Sequence, residues 1–282
     1  AFNPLSRIMI DSISALGISH PAVYIRLPDD PSDEVMAVAS RDVAYGGNRA
    51  QIVSDAAIVA AMTRRGRITE ADARMYMCGG CMEISPQGKN GDLLFSGFVN
   101  TAKILELVLN GGHCLSTGSR ILPHIHTSLP AYATFEDLYA VVAEEIRTML
   151  LTSFRLMDIT ATAWGRLRPR FLVSAQVEDC IERGRCINAG GARYEDFGST
   201  PLGLPNLADS LTALRLAVFE QKVVSAEALH RALAADFAES ESLRHQLLAL
   251  PKYGQGDAGA DEMMQRVVTA VCDVYDGYTN VL

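Results

Sequence analysis

The sequence of 282 residues lacks the features that mark several special classes of protein. No stretch approaches the roughly 18 unbroken apolar residues that a transmembrane helix needs, and no signal-peptide pattern is present. Lysine and arginine number 25 against 33 aspartates and glutamates, which gives a net charge of −8 without any lysine-rich run. We therefore expect no membrane association and no nucleic-acid partner.

Cysteine is also scarce, because six cysteines in a chain of this length are too few for a disulfide scaffold. This scarcity favours a reducing, intracellular setting, and we predict a cytoplasmic protein. The sequence has no internal repeat, no low-complexity tract, and neither a G-x-G-x-x-G nor a Walker motif, so nucleotide binding is not supported. With 49% apolar and 21% charged residues, the composition is that of an ordinary globular protein.

Short apolar runs alternate with amphipathic stretches along the chain, and this alternation predicts an α/β fold. The short runs are apolar throughout, as strands buried on both faces of a sheet usually are. The predicted strands cover residues 22–27, 51–53, 93–98 and 171–174.

Capping residues and apolar stripes predict the helices. Asp55 can cap a helix that ends near Gly66, and Thr69 can cap a short second one. Two stretches rich in glycine, proline and asparagine, residues 77–92 and 185–205, are predicted to be loops. The last third of the chain is mostly helical, and the further predicted helices cover residues 101–110, 134–154, 206–220, 225–237, 239–249 and 261–276.

The sharpest local constellation is Cys81-Met82-Glu83. In extended backbone, residues two apart point to the same side. A carboxylate raises the pKa of a neighbouring thiol and suppresses the thiolate, which makes this pair unsuited to ionic nucleophilic catalysis. The pair suits chemistry in which the sulfur carries a hydrogen atom and the carboxylate moves protons. The alternative is a buried apolar cysteine beside a solvated glutamate.

Two further patterns have competing interpretations. Cys78 and Cys81 have the spacing of a redox pair or of half a zinc site, to which His124 and His126 could add ligands. A single pair of this spacing is a weak signal, and we expect no metal. The glycine pair 190–191 indicates either a close approach of two backbone segments or a positive φ, as in a tight turn.

Taken together, these stretches resemble the glycyl radical enzymes, the superfamily of pyruvate formate-lyase. The resemblance extends over nearly the whole chain, in the order that the family shows. The residues that carry it are Asn3-Pro4-Leu5, Pro21 to Arg26, Ser54 to Ile58, Asp72-Ala73-Arg74, Gly80 to Glu83, Gly97 to Asn100, Lys103, Leu105-Glu106-Leu107, Asp179 to Gly184, Gly190 to Tyr194, Asn206 to Leu211, Pro251 to Gly254, and Asp261.

The resemblance implies a ten-stranded α/β barrel with a helix-rich C-terminal third. It implies that a radical SAM activating enzyme generates a glycyl radical, which converts Cys81 to a thiyl radical. Cys81 then removes hydrogen from a small organic substrate, and Glu83 is the proton-transferring carboxylate. The family also implies a homodimer.

The family's glycyl loop, Arg-Val-x-Gly followed by an aromatic residue, is not found in the sequence; Gly277 lacks the Arg-Val context. We therefore expect residues 1–282 to be one barrel domain of a longer protein. The N-terminal part of the barrel and the glycyl radical domain would then lie outside it. No cofactor is expected on this fragment, which should be catalytically inert alone.

The branch of the family is indicated by single positions. Gly80 stands before Cys81, whereas the active loop of pyruvate formate-lyase has a Cys-Cys pair. We therefore expect lyase chemistry by elimination or decarboxylation. Phe95 stands where the family's diol dehydratases carry an aspartate, which disfavours a small polyol and favours a partly apolar substrate. His113 could hydrogen-bond a substrate polar group, or be an ordinary loop histidine. The alternatives are acyl transfer of the formate C-acetyltransferase type and a non-catalytic truncated relative.

Overall fold

The structure, a computed structural model, describes residues 2–17, 23–44, 50–79, 83–91, 97–196 and 198–282. They form two compact units. The first unit comprises Ala1–Asp92 and Arg170–Glu195, and the second comprises Leu93–Pro169 and Asp196–Leu282. The strands are β1 (Val23–Leu27), β2 (Ala50–Ser54), β3 (Tyr76–Gly79), β4 (Glu83–Pro86), β5 (Gly97–Asn100) and β6 (Ser199–Leu202). The α-helices are α1 (Pro4–Leu16), α2 (Asp33–Ala44), α3 (Asp55–Thr63), α4 (Glu70–Arg74), α5 (Thr101–Leu109), α6 (Phe135–Leu167), α7 (Phe171–Ser174), α8 (Leu204–Leu214), α9 (Ala226–Ala234), α10 (Glu241–Leu248) and α11 (Ala258–Asp276).

The first unit contains a parallel pair of strands after helix α1. β1 pairs with β2, with Ile25 opposite Ile52, and α2 lies between them in the chain. A parallel pair needs such a crossover because its two strands run in the same direction. Ile10 of α1 and Val38 of α2 join Ile25 in a small buried apolar cluster. The predicted strands at 22–27 and 51–53 are therefore confirmed in their described residues, whereas α1 and α2 were not predicted.

The segment predicted to be a loop at 77–92 instead begins with an antiparallel hairpin. β3 pairs with β4, with Tyr76 opposite Pro86 and Gly79 opposite Glu83. The loop prediction was wrong for these strands because glycine and proline content was the signal used. Pro86 is the last residue of its strand, a position where a missing N–H is tolerated.

The second unit surrounds a large apolar cluster. α5, α6, α8 and α11 pack together around it. β5 and β6 form a parallel pair in this unit, with Val99 opposite Pro201. A π-helical segment, Arg215–Glu220, follows α8 directly. The largest side chains that are fully buried here include Leu129, Leu138, Leu150, Leu207, Leu211 and Met263.

Several predicted helix boundaries are confirmed. α5 ends before Gly111 and Gly112, which both have positive φ, and α6 begins with a reciprocal capping box between Thr134 and Asp137. The four helical regions predicted in the last third of the chain correspond to α8 with its π-helical extension, α9, α10 and α11. The helix-rich C-terminal third is therefore confirmed.

Three further predictions of local structure were wrong. Residues 171–174 form helix α7 rather than a strand, and Phe171 and Leu172 are exposed; a four-residue apolar run does not distinguish the two structures by periodicity. α6 continues to Leu167 rather than ending near residue 154, because Met157 and Ala161 extend its buried stripe. The N-cap of α3 is Ser54, whose hydroxyl accepts a hydrogen bond from the Ala57 amide, and Asp55 is the first helical residue.

The architecture is a mixed α/β fold. Within the described ranges, the strands form three separate two-stranded sheets and no closed sheet. The predicted barrel is therefore not established by these strands. No helix of the described chain is both long enough and apolar enough to span a bilayer.

Candidate active site at the β3–β4 hairpin

One member of the predicted catalytic pair, Glu83, lies in the β3–β4 hairpin. Glu83 is the first residue of β4, is half-buried, and pairs with Gly79, the last residue of β3. Cys81 is the middle one of the three residues between these partners in the sequence, and it lies outside the described residues. Glu83 therefore lies at the start of β4, two residues after Cys81 in the sequence.

A charged cluster holds the base of the hairpin. The Arg26 Nε donates to Asp55 Oδ1 at 2.8 Å, and the Tyr76 hydroxyl donates to the same oxygen at 2.6 Å. The Arg26 guanidinium also stacks 3.8 Å above the Tyr76 ring and donates to the Tyr76 carbonyl oxygen at 3.0 Å. One arginine therefore connects β1, the start of α3 and the start of β3.

The pKa values in this cluster follow from burial and charge. Burial and the hydrogen bond to Asp55 raise the pKa of Tyr76 well above its usual range, so the phenol remains a proton donor. Burial alone would raise the pKa of Asp55, but the hydrogen bonds from Arg26 and Tyr76 outweigh it and lower that pKa. Burial also raises the pKa of the Cys78 thiol on β3. The hairpin therefore keeps its described thiol protonated.

The glycine-rich segment around residues 190–191 pairs with the chain that follows β4. The Gly91 amide donates to the Tyr194 carbonyl at 2.8 Å, and the Tyr194 amide donates to the Lys89 carbonyl at 3.0 Å. Gly190 has a φ of 77°, and a Cβ on Gly191 would lie 2.2 Å from the Arg185 carbonyl oxygen. Both interpretations of the glycine pair are therefore confirmed, one at each position.

The two predicted substrate-contacting residues belong to the second unit. Phe95 lies outside the described residues. His113 is half-buried, and its Nδ1 is 3.2 Å from the Gly111 carbonyl oxygen. The backbone carbonyl of His113 accepts a hydrogen bond from the side-chain amide of Asn110 at 3.0 Å. The ring is thus held by the turn that ends α5. Its role toward a substrate stays a prediction.

The residues of the zinc alternative have other partners where they are described. His124 Nε2 is 2.7 Å from the buried Glu145 carboxylate, and His126 Nδ1 is 2.6 Å from the Arg120 guanidinium. Among the described residues, no group of three or more histidine, cysteine, aspartate or glutamate side chains could hold a metal ion. Cys81 is outside that search.

Sequence reasoning missed the cluster that holds the hairpin. No chemical role was assigned to Arg26 or Tyr76, and Asp55 was noted as a helix cap and within a segment that resembles the family. Their function follows from contacts across 21 to 50 residues of sequence. An arginine within an apolar strand was an available signal, because a charge there needs a partner.

Comparison with known proteins identifies the family. The family described as pyruvate formate lyase-like matches residues 1–282. The chain is 28% identical over 275 residues to (2S)-3-sulfopropanediol dehydratase of Klebsiella oxytoca, covering 96% of this chain and 33% of that protein.

Solved structures agree with this match. The structure of hydroxyproline dehydratase from Clostridioides difficile, with trans-4-hydroxy-L-proline bound, has a TM-score of 0.85 and 27% identity and is covered over 35% of its length. A glycyl radical enzyme from Archaeoglobus fulgidus has a TM-score of 0.81 and 28% identity, also with 35% covered. Each of these structures matches 99% of this chain. The chain thus spans about a third of the length of the relatives that it matches, and it belongs to the pyruvate formate lyase-like family.

Proposed function

We propose that this chain is the cysteine-bearing part of a glycyl radical lyase that performs an elimination on a small organic substrate. The similarity of nearly the whole chain to dehydratases carries this proposal. The Cys81-Met82-Glu83 order at the β3–β4 hairpin supports it, because a thiol and a carboxylate are the two groups that such a reaction needs.

Hydrogen-atom transfer by Cys81 needs a protonated thiol and a radical that accepts its hydrogen atom. The glycyl radical, expected outside these 282 residues and installed by a radical SAM enzyme, supplies a one-electron oxidant that accepts the hydrogen atom of the Cys81 thiol.

The steps assigned to this chain are a hydrogen-atom transfer and a proton transfer. The Cys81 sulfur takes a hydrogen atom from a substrate C–H bond, which regenerates the thiol and leaves an unpaired electron on carbon. Glu83 accepts a proton from the polar group on that carbon while the neighbouring leaving group departs with its electron pair. The product radical then takes the hydrogen atom back from Cys81.

The finer predictions extend this proposal. Residues 1–282 would form one domain of a ten-stranded barrel, in a protein that acts as a homodimer in the cytoplasm. Phe95 would make the substrate site partly apolar, and His113 would hydrogen-bond a polar group of the substrate. Gly80, in place of a second cysteine, argues for elimination rather than acyl transfer.

The test uses the complete gene product that contains this sequence, activated anaerobically. We expect Cys81→Ala to retain the glycyl radical signal in electron paramagnetic resonance and to lose all turnover. Glu83→Gln should lower kcat by about 10²–10⁴, the usual contribution of a general base. Cys78→Ala is the matched control, because it removes a neighbouring thiol of the same hairpin and should retain turnover.

The substrate panel should include hydroxylated acids and hydroxyproline-like rings, together with pyruvate and coenzyme A. Elimination of water or of another leaving group supports the proposal. Turnover by Cys81→Ala at the wild-type rate would exclude it. Acyl transfer to coenzyme A would establish the alternative activity, and a complete protein that cannot be activated would favour the non-catalytic relative.

A further inference from the structure

Asp72 is a buried carboxylate that the proposed chemistry does not use. It lies on α4 and is 7% exposed. The Lys89 ammonium donates to Oδ1, the Tyr194 hydroxyl donates to Oδ2 at 2.5 Å, and an Arg193 nitrogen is 3.8 Å from Oδ2. Two hydrogen-bond donors and one further cation, from two distant segments, therefore converge on one side chain.

These donors come from the segments that adjoin the hairpin. Lys89 lies three residues after the end of β4, and Tyr194 belongs to the glycine-rich segment that pairs with residues 89–91. Arg193 next to it forms ion pairs of 2.8 Å with Glu178 and 3.0 Å with Asp179. Asp72 thereby connects α4 to the chain that leaves the hairpin.

The entry and the exit of the hairpin are each held by one carboxylate. Asp55 binds Tyr76, the first residue of β3, and Asp72 binds Lys89, just beyond β4. α4 itself leads into β3 after a single residue, Met75. The residues between these two attachment points include Cys81 and Glu83.

Charged hydrogen bonds give direction more than they give stability. A buried ion pair is often no more stabilising than apolar side chains of the same volume, whereas its short hydrogen bonds define angles and positions. Lys89 first, and then Tyr194, lower the pKa of Asp72 to about 2, so it accepts these bonds as a carboxylate throughout the physiological range. A network of this kind suits a hairpin whose groups must be accurately placed.

We propose that Asp72 is a positioning residue that sets the placement of the β3–β4 hairpin, and of Glu83 within it, through Lys89 and Tyr194. The proposal rests on the proposed function for its consequence in catalysis, but not for its consequence in structure. It also gives a purpose to the Gly190–Tyr194 segment, whose tight turn brings the Tyr194 hydroxyl to Asp72.

The experiment compares Tyr194→Phe and Asp72→Asn with wild type in the complete protein. Tyr194→Phe removes one hydroxyl and keeps the ring, so it should fold even if Asp72→Asn does not. In the unactivated protein, we expect hydrogen exchange of the amides of residues 76–86 to rise about tenfold. In the activated protein, kcat should fall by about 10- to 100-fold while KM stays within about twofold, because misplacement affects the transition state most.

Tyr278→Phe is the matched control, because Tyr278 donates to Asp158 in a tyrosine–aspartate pair of the second unit. It should change stability without changing the exchange of residues 76–86 or the ratio of kcat to KM. Unchanged exchange at 76–86 in Tyr194→Phe, with unchanged kcat, would overturn the positioning role. Raised exchange at residues 76–86 in Tyr194→Phe, in a protein whose wild type shows no turnover, would support the positioning role and contradict the proposed function. The two failures are therefore distinguishable.

Discussion

The second unit surrounds one large apolar cluster, whereas the first unit holds its hairpin with charged hydrogen bonds. In the second unit, Leu138, Leu150 and Leu207 are fully buried within a continuous core. In the first unit, the described residues form smaller clusters, and Asp55 and Asp72 bind basic and tyrosine side chains from several segments.

This difference separates stability from placement. Apolar burial is non-directional and supplies most of the free energy of folding. Charged hydrogen bonds contribute about 1.5–3 kcal/mol each and, unlike apolar contacts, they also specify where two groups lie relative to each other. The unit that contains the proposed catalytic pair uses the second kind of contact, and the following variants test that distinction.

The largest effect is expected from Leu150→Ala in the second unit. The side chain is fully buried on α6, so removing its methyl groups should lower the free energy of unfolding by about 2–5 kcal/mol. Leu156→Ala on the same helix is the matched control, because Leu156 is 60% exposed. Urea unfolding measures both, and equal losses would contradict the assignment of the core.

A smaller loss is expected from Gly191→Ala in the first unit. The new Cβ would meet the Arg185 carbonyl oxygen at 2.2 Å, and backbone must move to relieve the clash, at a cost of about 1–3 kcal/mol. Gly184→Ala is the control; it has a positive φ but open space around the new Cβ. Thermal unfolding should separate the two variants, with Gly191→Ala the less stable.

The next effect is a pH dependence that Asp72 contributes. Its folded pKa of about 2 lies below the ordinary value of 3.8, so its stabilisation is complete above the ordinary pKa and is lost as the pH falls from about 4 to 2. Lys89, Tyr194 and Arg193 are the groups that face it. The stability difference between wild type and Asp72→Asn, measured by urea unfolding, should be constant from pH 5 to 7 and shrink toward pH 3. A constant difference at every pH would show that the carboxylate charge is irrelevant.

The last effect is a spectroscopic one and concerns the buried Cys114 in the second unit. Hydrogen bonds from Ser116 first, then from Thr117 and Lys103, lower its pKa from 9.0 to about 6. The thiolate should therefore appear in ultraviolet absorbance near pH 6, and Cys114→Ser should remove that step. Because the folded pKa is lowered, the stabilisation is full above pH 9 and is lost as the pH falls through 6. No titration step below pH 8 in wild type would contradict this prediction.

The fold was predictable where its signals are local. The caps of α4 and α6 were visible in the sequence, because a cap and its partner are three residues apart. The strand predicted at 171–174 failed because the same short apolar run fits a helix. The β3–β4 hairpin was missed because its pairing joins residues that a composition rich in glycine and proline had marked as loop.

The candidate site was predictable in its chemistry but not in its supports. The residue order Cys81-Met82-Glu83, together with motifs along the whole chain, indicated the family that the comparisons confirm. The roles of Cys81, Glu83, Phe95 and His113 stay predictions. Asp55 and Asp72 were noted at helix starts and within segments that resemble the family, but their hydrogen-bond partners were not predicted, because those partners are remote in the sequence.

The sequence by itself determined the family, the helix caps and the spacing of the thiol and carboxylate, because each of these depends on residue order within short segments. Only the tertiary structure decided that Tyr194 meets Asp72 across 122 residues and that Arg26 meets Tyr76 across 50. Local propensities act over a few residues, whereas such contacts form only when packing brings distant segments together. The placement of the hairpin is therefore a property of the folded chain, and its chemical groups are a property of the sequence.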